Sequence, residues 1–271
     1  MRNLLVHLDS SVQTQARLEL AATMAKRIGS RLVGVFGQIA RTTSSGVVAA
    51  WPPAEYVAAR DAAEVAFKAA SAGVVDSDFM DLNRGDEADI LSQAIDLARH
   101  FDLVILGQPL ADKNPAPSDL VERIVVDSGR PALVVPYAGS FSDVGKRPLF
   151  AWNDSREAAR AFADGVRIVQ KDSHAIVVTI SKPDDATIAY RKVSLELAVA
   201  HLKAHGVQAS GEQAVAVDIG LMDSLLNQAA DHSADMLVLG AFGGQGYPRF
   251  SRGSGSRFML KHMTVPVLFS H

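Results

Sequence analysis

The sequence has no cysteine, which excludes disulfides, thiolate nucleophiles and cysteine metal sites and leaves only histidine and carboxylate as metal ligands. Aromatic residues make up 6%, too few for the rows of rings on which single-stranded nucleic acid stacks. Neither sign of charge dominates. The 27 Lys and Arg against 30 Asp and Glu leave a formal charge of -3, with no basic excess for nucleic acid and no acidic tail. No apolar run reaches the roughly eighteen residues of a membrane span, and Leu4-Leu5-Val6 is too short for a signal-peptide core. These absences lead us to expect a cytoplasmic chain with no nucleic-acid partner and no membrane insertion. Gly-Lys-Ser and Gly-Lys-Thr are also missing, which removes the lysine-bearing loop that supports efficient phosphoryl transfer.

What is present is a chain of 271 residues, 48% hydrophobic, long enough for two domains of about 130 to 140 residues each. Asn3 to Leu8 reads as a short apolar strand, and Val12 to Ile28 carries Ala16, Leu20, Met24 and Ile28 at helical spacing, with Gly29 as its stop. A strand from Arg31 to Phe36 follows. The irregular stretch from Gly37 to Pro53 has the length of a lid or a contact surface. A helix from Ala54 to Ala70, a strand near Asp78 to Leu82, a helix capped by Asp86, a strand from Asp102 to Gly107, a helix from about Ser118 to Asp127 and a strand from Ala132 to Pro136 complete one half.

From Arg147 the pattern begins again. Leu149 to Ser155 repeats the layout of Leu5 to Ser11, Glu157 to Val169 the first helix, and His174 to Ile180 the strand Arg31 to Phe36. Ala234 to Gly240 answers Phe101 to Gly107, and Val265-Pro266-Val267-Leu268 answers Arg130-Pro131-Ala132-Leu133. The expected domains are 1–138 and 146–271, joined by a polar linker. Strands alternating with helices predict two tandem doubly wound α/β domains, each with a parallel sheet covered on both faces. Ligands of such sheets lie beyond the carboxyl ends of the strands, where Asp9, Asn153, Gly107 and Gly240 all fall.

The most informative stretch is Gly240 to Ser256, GAFGGQGYPRFSRGSGS. It follows the apolar run Met236 to Leu239 and precedes a helix through Arg257 to His262 and a short strand, Val265 to Phe269. A glycine loop between strand and helix can wrap an anion, because glycine lets backbone N–H groups approach closely and the next helix offers unpaired donors. The spacing is Gly240, two residues, Gly243, nine residues, then Gly253-Ser254, with Ser256 beyond. This resembles the ATP-binding signature of the universal stress protein family, and with the duplication the resemblance covers nearly the whole chain.

The resemblance implies five parallel strands per half and pairing of the halves, or of two protomers in a homodimer, along the last strands. It implies bound ATP with Mg²⁺ in the C-terminal half, held around Gly240, Gly243, Gly253 and Ser254, with hydroxyls from Ser254 and Ser256. Asn153 stands near the adenosine, where the family usually has Asp, and Asp9 keeps that carboxylate in the first half. Arg249 and Arg252 lie within the loop, shaped by Tyr247-Pro248. The first half keeps only Gly107 of the glycine signature. Counting from aligned positions sets Leu110 opposite Gly243 and Ser118-Asp119 opposite Gly253-Ser254, so ATP is not expected there.

No residue stands out as a general base, so any ATPase should be slow, and the expected role is a nucleotide-dependent sensor or regulator under stress rather than an enzyme. Two other readings stay open: a scaffold that binds a protein or an apolar ligand through the degenerate half, and an adenylyl- or phosphoryl-transfer enzyme. His201 and His205 have the spacing of a helical metal pair, but no carboxylate motif accompanies them. Ser10, Ser11 and His7 lack the glycine-flanked elbow of a nucleophilic serine.

Overall fold

A computed structural model describes residues 1–40, 51–109, 115–183, 187–243 and 253–271. The chain divides into two compact units, Met1–Ser142 and Asp143–His271. In unit 1 the elements are β1 (Asn3–Leu8), α1 (Thr14–Ile28), β2 (Arg31–Phe36), α2 (Ala54–Ala70), β3 (Ser77–Asp81), α3 (Glu87–Ala98), β4 (Leu103–Gly107), α4 (Leu120–Asp127) and β5 (Ala132–Val135). Unit 2 continues with β6 (Pro148–Ala151), α5 (Arg156–Gly165), β7 (His174–Ser181), α6 (Ile188–Ala204), β8 (Gln208–Val215), α7 (Leu221–Asp231), β9 (Met236–Gly240), α8 (Ser254–His262) and β10 (Val267–Ser270).

Each unit contains a five-stranded parallel sheet, ordered β3-β2-β1-β4-β5 in the first and β8-β7-β6-β9-β10 in the second. The expected doubly wound architecture is therefore present in both halves. Strands in the middle of such sheets bury both faces and read as unbroken apolar runs. Accordingly β4 and β9, with sequences LVILG and MLVLG, are buried up to their last residue. β8, at an end of its sheet, is largely exposed and polar (QASGEQAV), which is why its sequence gives no strand signal.

Local chemistry sets the helix ends. Gly29 closes α1 in the left-handed conformation at φ 68° and donates its N–H to Ala25 O, as glycine does at a helix end. The Asp86 carboxylate caps α3 through the N–H groups of Ala88 and Asp89. Some bounds differ from the sequence reading. α5 ends at Gly165 rather than Val169, where the chain turns so that Val166 N–H reaches both Phe162 O and Asp164 O. β10 starts at Val267 because Pro266 has no N–H for a ladder. Of the stretch Gly37 to Pro53, residues 41–50 lie outside the described residues. Trp51 packs on Tyr56 with ring centroids 5.1 Å apart and donates through Nε1 to Asn83 O at 3.0 Å.

The repeat extends to a hydrogen-bonding device. Asp102, just before β4, accepts the N–H groups of Arg2 (2.6 Å) and Asn3 (3.2 Å) at the start of β1. Asp235, just before β9, accepts those of Gly145 (3.1 Å), Lys146 (2.8 Å) and Arg147 (3.1 Å) at the start of β6. A carboxylate here replaces three ladder partners at once. Asp235→Ala is expected to destabilise the chain by about 2 kcal/mol in urea unfolding, in the range of hydrogen bonds to charged groups. A change below about 0.5 kcal/mol would show these contacts to be incidental.

Candidate functional site

In both units the strand order reverses beside the first strand, between β1 and β4 and between β6 and β9, where ligands of open parallel sheets bind. The residues that line this point differ between the halves.

In unit 1 the point is filled by a buried ion pair. Arg17, on the inner face of α1, is 2% exposed. Its Nε donates to His7 O (2.7 Å) and its Nη2 to Thr14 Oγ1 (3.0 Å), and Nη2 lies 3.3 Å from Asp9 Oδ2. The other Asp9 oxygen accepts from Ser11 N–H (2.9 Å), the Ser11 hydroxyl and the Thr14 hydroxyl (2.7 Å). Burial pushes the Asp9 carboxyl up, but Arg17 and these hydroxyls outweigh it and hold the group well below the usual carboxylate range. His7 Nε2 lies 2.8 Å from Gly37 O, an acceptor only, so Nε2 carries the proton; burial lowers the imidazole pKa and keeps the ring neutral. A Cβ on Gly107 would lie 2.1 Å from Arg17 Nη1, so the guanidinium occupies the space over that glycine. The cavity left at this end of the sheet, lined by His7, Asp9, Arg17, Gly107, Gln108 and Leu120 among others, has about 20 Å³, room for one water. Asp119, which the repeat sets opposite Ser254, is an exposed residue at the N-cap of α4, and Leu110 lies outside the described residues.

Unit 2 keeps the serine of that cluster, Ser155 for Ser11, and replaces Asp9, Thr14 and Arg17 by Asn153, Ala158 and Ala161. Two positions past Ser155 stands Glu157 where unit 1 has Gln13, and six past it stands Ala161 where unit 1 has Arg17. Without the arginine, α5 settles onto β9: a Cβ on Gly240 would lie 2.4 Å from Ala158 N and 2.5 Å from the carbonyl carbon of Glu157. This backbone contact accounts for the glycine at 240 without any ligand. Without the arginine there is also no cation to hold a carboxylate at the Asp9 position, and the residue there is the neutral Asn153. Asn153 is exposed. Its Oδ1 accepts from Ser155 Oγ (2.7 Å) and Ser155 N–H (3.3 Å), and Ser155 in turn caps α5 at Ala158 N–H (3.0 Å). The Nδ2 donors of Asn153 have no partner among the described residues.

After Gly240 the chain turns at Phe242, which takes φ 55°, a conformation strained for a bulky residue. Its N–H donates to the buried hydroxyl of Ser256 at 2.9 Å, so that hydroxyl serves the loop's own structure. The Phe242 ring lies against Gly253, where a Cβ would come within 3.0 Å. Gly253 is the N-cap of α8 at φ 75°, with no side-chain cap and no acidic residue in the first turn; Lys261 and His262 stand at the other end. Ser254 is exposed at the first position of the helix. The structure thus brings Gly240, Gly243, Gly253, Ser254 and Ser256 to one corner at the end of β9, where among the described residues nothing caps the first amides of α8. Residues 244–252, which include Tyr247, Pro248, Arg249 and Arg252, lie outside the described residues.

No family model and no curated protein matches the sequence. Among solved structures, a universal stress protein from Archaeoglobus fulgidus DSM 4304 aligns over 100% of this chain and 98% of its own, with a TM-score of 0.67 at 17% identity. A putative universal stress protein from Pseudomonas aeruginosa UCBPP-PA14 covers 100% and 93%, with a TM-score of 0.58 at 15% identity. The chain has the tandem universal stress protein fold. At these identities the universal stress protein likeness concerns architecture, and the chemistry of each half rests on its own residues.

The sequence reading gave Arg17, Glu157 and Phe242 no role at the site. Arg17 had a signal: it shares the helical stripe of Leu20, Ala21 and Met24, so it had to be buried, and its counterpart is alanine. Glu157 had the same kind of signal at the start of α5. Among the described residues no group of three His, Asp or Glu is placed to hold a metal, and His201 and His205 meet edge to face with ring centroids 4.7 Å apart.

Removing Arg17 leaves Asp9 as an uncompensated buried charge, so Arg17→Ala should destabilise the chain by about 3 to 5 kcal/mol. Adding Asp9→Asn should recover more than about 1 kcal/mol in a double-mutant cycle; strict additivity would contradict the pairing. The acid side follows from the same cluster. His7 has a lowered folded pKa, so the unfolded chain takes up a proton below about 6.5 that the folded chain refuses, and stability falls as pH drops through that range. Asp9 contributes fully above about 3.8 and loses its contribution below it. Urea midpoints should therefore fall in two stages, and His7→Gln should remove the first while keeping the second.

Proposed function

We propose that the chain binds an adenine nucleotide, ATP with Mg²⁺, at the end of β9 in unit 2 and acts as a nucleotide-dependent regulator. The observation that carries this reading is the start of α8. Among the described residues its first amides meet no cap behind a left-handed glycine, its first turn bears no acidic residue, and its last turn is basic. Unpaired donors and the positive end of a helix dipole favour phosphate. α4, at the same place in unit 1, has Asp119 at its N-cap and Glu122 in its first turn, and Arg17 fills the space beside Gly107. The reading therefore assigns the nucleotide to unit 2 alone.

Within this proposal the amides of Gly243, Ser254 and Gly255 face the phosphates and the exposed Ser254 hydroxyl adds a hydrogen bond. Gly240 and Ser256 support the corner from behind. Asn153 offers its Nδ2 donors to the adenosine, which the neutral amide does without any charge preference. Mg²⁺ neutralises phosphate charge and takes oxygen ligands. The described residues offer no poised general base, so turnover is slow or absent. The same reading includes pairing of the two halves along their last strands, and of two chains as a homodimer.

The test is isothermal titration of the whole chain with ATP in the presence of Mg²⁺. One equivalent is expected to bind, and Gly243→Val, whose side chain meets the Glu157 carboxylate, is expected to lose at least tenfold in affinity, about 1.4 kcal/mol. Absence of binding by a folded wild-type chain, or unchanged affinity in a folded Gly243→Val, would sink the proposal.

A further inference from the structure

The corner at the end of β9 holds one group that phosphate binding does not explain, the carboxylate of Glu157. The residue is 6% exposed in the first turn of α5. A Cβ on Gly243 would lie 2.5 Å from its Cδ and 2.8 Å from each carboxylate oxygen, so the carboxylate lies flat against the glycine's α-carbon. Gly243 follows Phe242, which is tied to Ser256 and packed on Gly253. The Glu157 carboxylate and the start of α8 therefore pack against neighbouring residues of one turn, Gly243 and Phe242. The oxygen Oε1 accepts from Arg156 Nε at 2.7 Å, and the Arg156 side chain is 69% exposed, a partner that can turn outward at little cost. Burial pushes the Glu157 carboxyl up, but Arg156, the residue's own N–H and the nearby His271 pull it further down, so the group is ionised. Unit 1 has the uncharged Gln13 at this position.

A bare polyphosphate drawn to the α8 amides would meet this buried negative charge at close range and be repelled. A hard divalent cation reverses the sign, because Mg²⁺ is held by one or two carboxylates together with phosphate oxygens. We propose that Glu157 is the specificity-determining residue of this site, admitting phosphates only with a divalent cation that its carboxylate helps to ligate. The inference rests on the nucleotide reading above and adds to it which charge state of the ligand is taken. Arg156 releases Oε1 as the cation arrives.

The experiment compares the affinity of the whole chain for ATP in excess Mg²⁺ and in excess EDTA, for wild type and for Glu157→Gln. Glutamine keeps the length and an acceptor for Arg156 and removes the charge. Wild type is expected to bind at least about tenfold tighter with Mg²⁺ than without, and Glu157→Gln to shrink that ratio to about threefold or less by gaining affinity for bare ATP. Equal wild-type affinities with and without metal, or a metal preference unchanged in Glu157→Gln, would overturn the inference and leave nucleotide binding standing. No binding by wild type in either condition would overturn the nucleotide reading and this inference with it. Should Glu157→Gln fail to fold, the wild-type ratio alone decides: a ratio near one overturns the inference, and a ratio of about tenfold or more supports it.

Discussion

Both halves depend on how closely the first helix of the unit can approach the end of its fourth strand. In unit 2 the backbone of α5 lies against Gly240, so close that a single Cβ would collide with Ala158 N and with the carbonyl carbon of Glu157. In unit 1 a guanidinium is wedged into the same contact, and Gly107 is glycine to make room for Arg17 instead of for a helix. One conserved backbone topology thus presents two different surfaces at its ligand-binding end. Interiors pack too densely for both solutions to coexist in one unit.

The choice at this contact sets the electrostatics around it. An arginine buried to 2% needs an anion, and Asp9, held ionised by Arg17 and by the Ser11 and Thr14 hydroxyls, supplies it. The four groups close on each other and leave about 20 Å³, whereas an organic ligand requires several hundred. Where alanine replaces arginine, the carboxylate becomes Asn153, its Oδ1 is engaged in a turn that leads into the cap of α5, and its donors have no partner among the described residues. The negative charge of the corner moves to Glu157, against Gly243. Unit 1 is internally neutralised; among the described residues, unit 2 keeps a helix start without a cap and a buried carboxylate against Gly243.

The architecture was legible because both signals it needs survive in the sequence. Apolar runs such as LVILG and MLVLG mark the central strands, and the duplicated spacing from Leu5 and from Leu149 sets the order of elements. β8 escaped because an end strand with polar residues on its exposed face lacks a period-two pattern. The glycine spacing located the corner at the end of β9, but it could not assign each glycine its reason. Gly240 answers to a helix backbone, Gly253 to a left-handed cap beside Phe242, and Gly243 to the carboxylate of Glu157. The reasons for Gly240 and Gly243 come from Glu157 and Ala158, more than about 80 positions away in sequence, which local pattern does not encode. The inequality of the halves was read from Leu110 and Asp119. The described contacts add Arg17 against Ala161, with Asp119 exposed at the N-cap of α4 and Leu110 outside the described residues.

The central claim is that these two packings confine nucleotide to the second unit. Photolabelling of the intact chain with 8-azido-ATP and Mg²⁺, followed by peptide mapping, tests it most directly. The account predicts labelled peptides from within Asp143–His271, protected by excess ATP. Protectable label within Met1–Ser142 would contradict it.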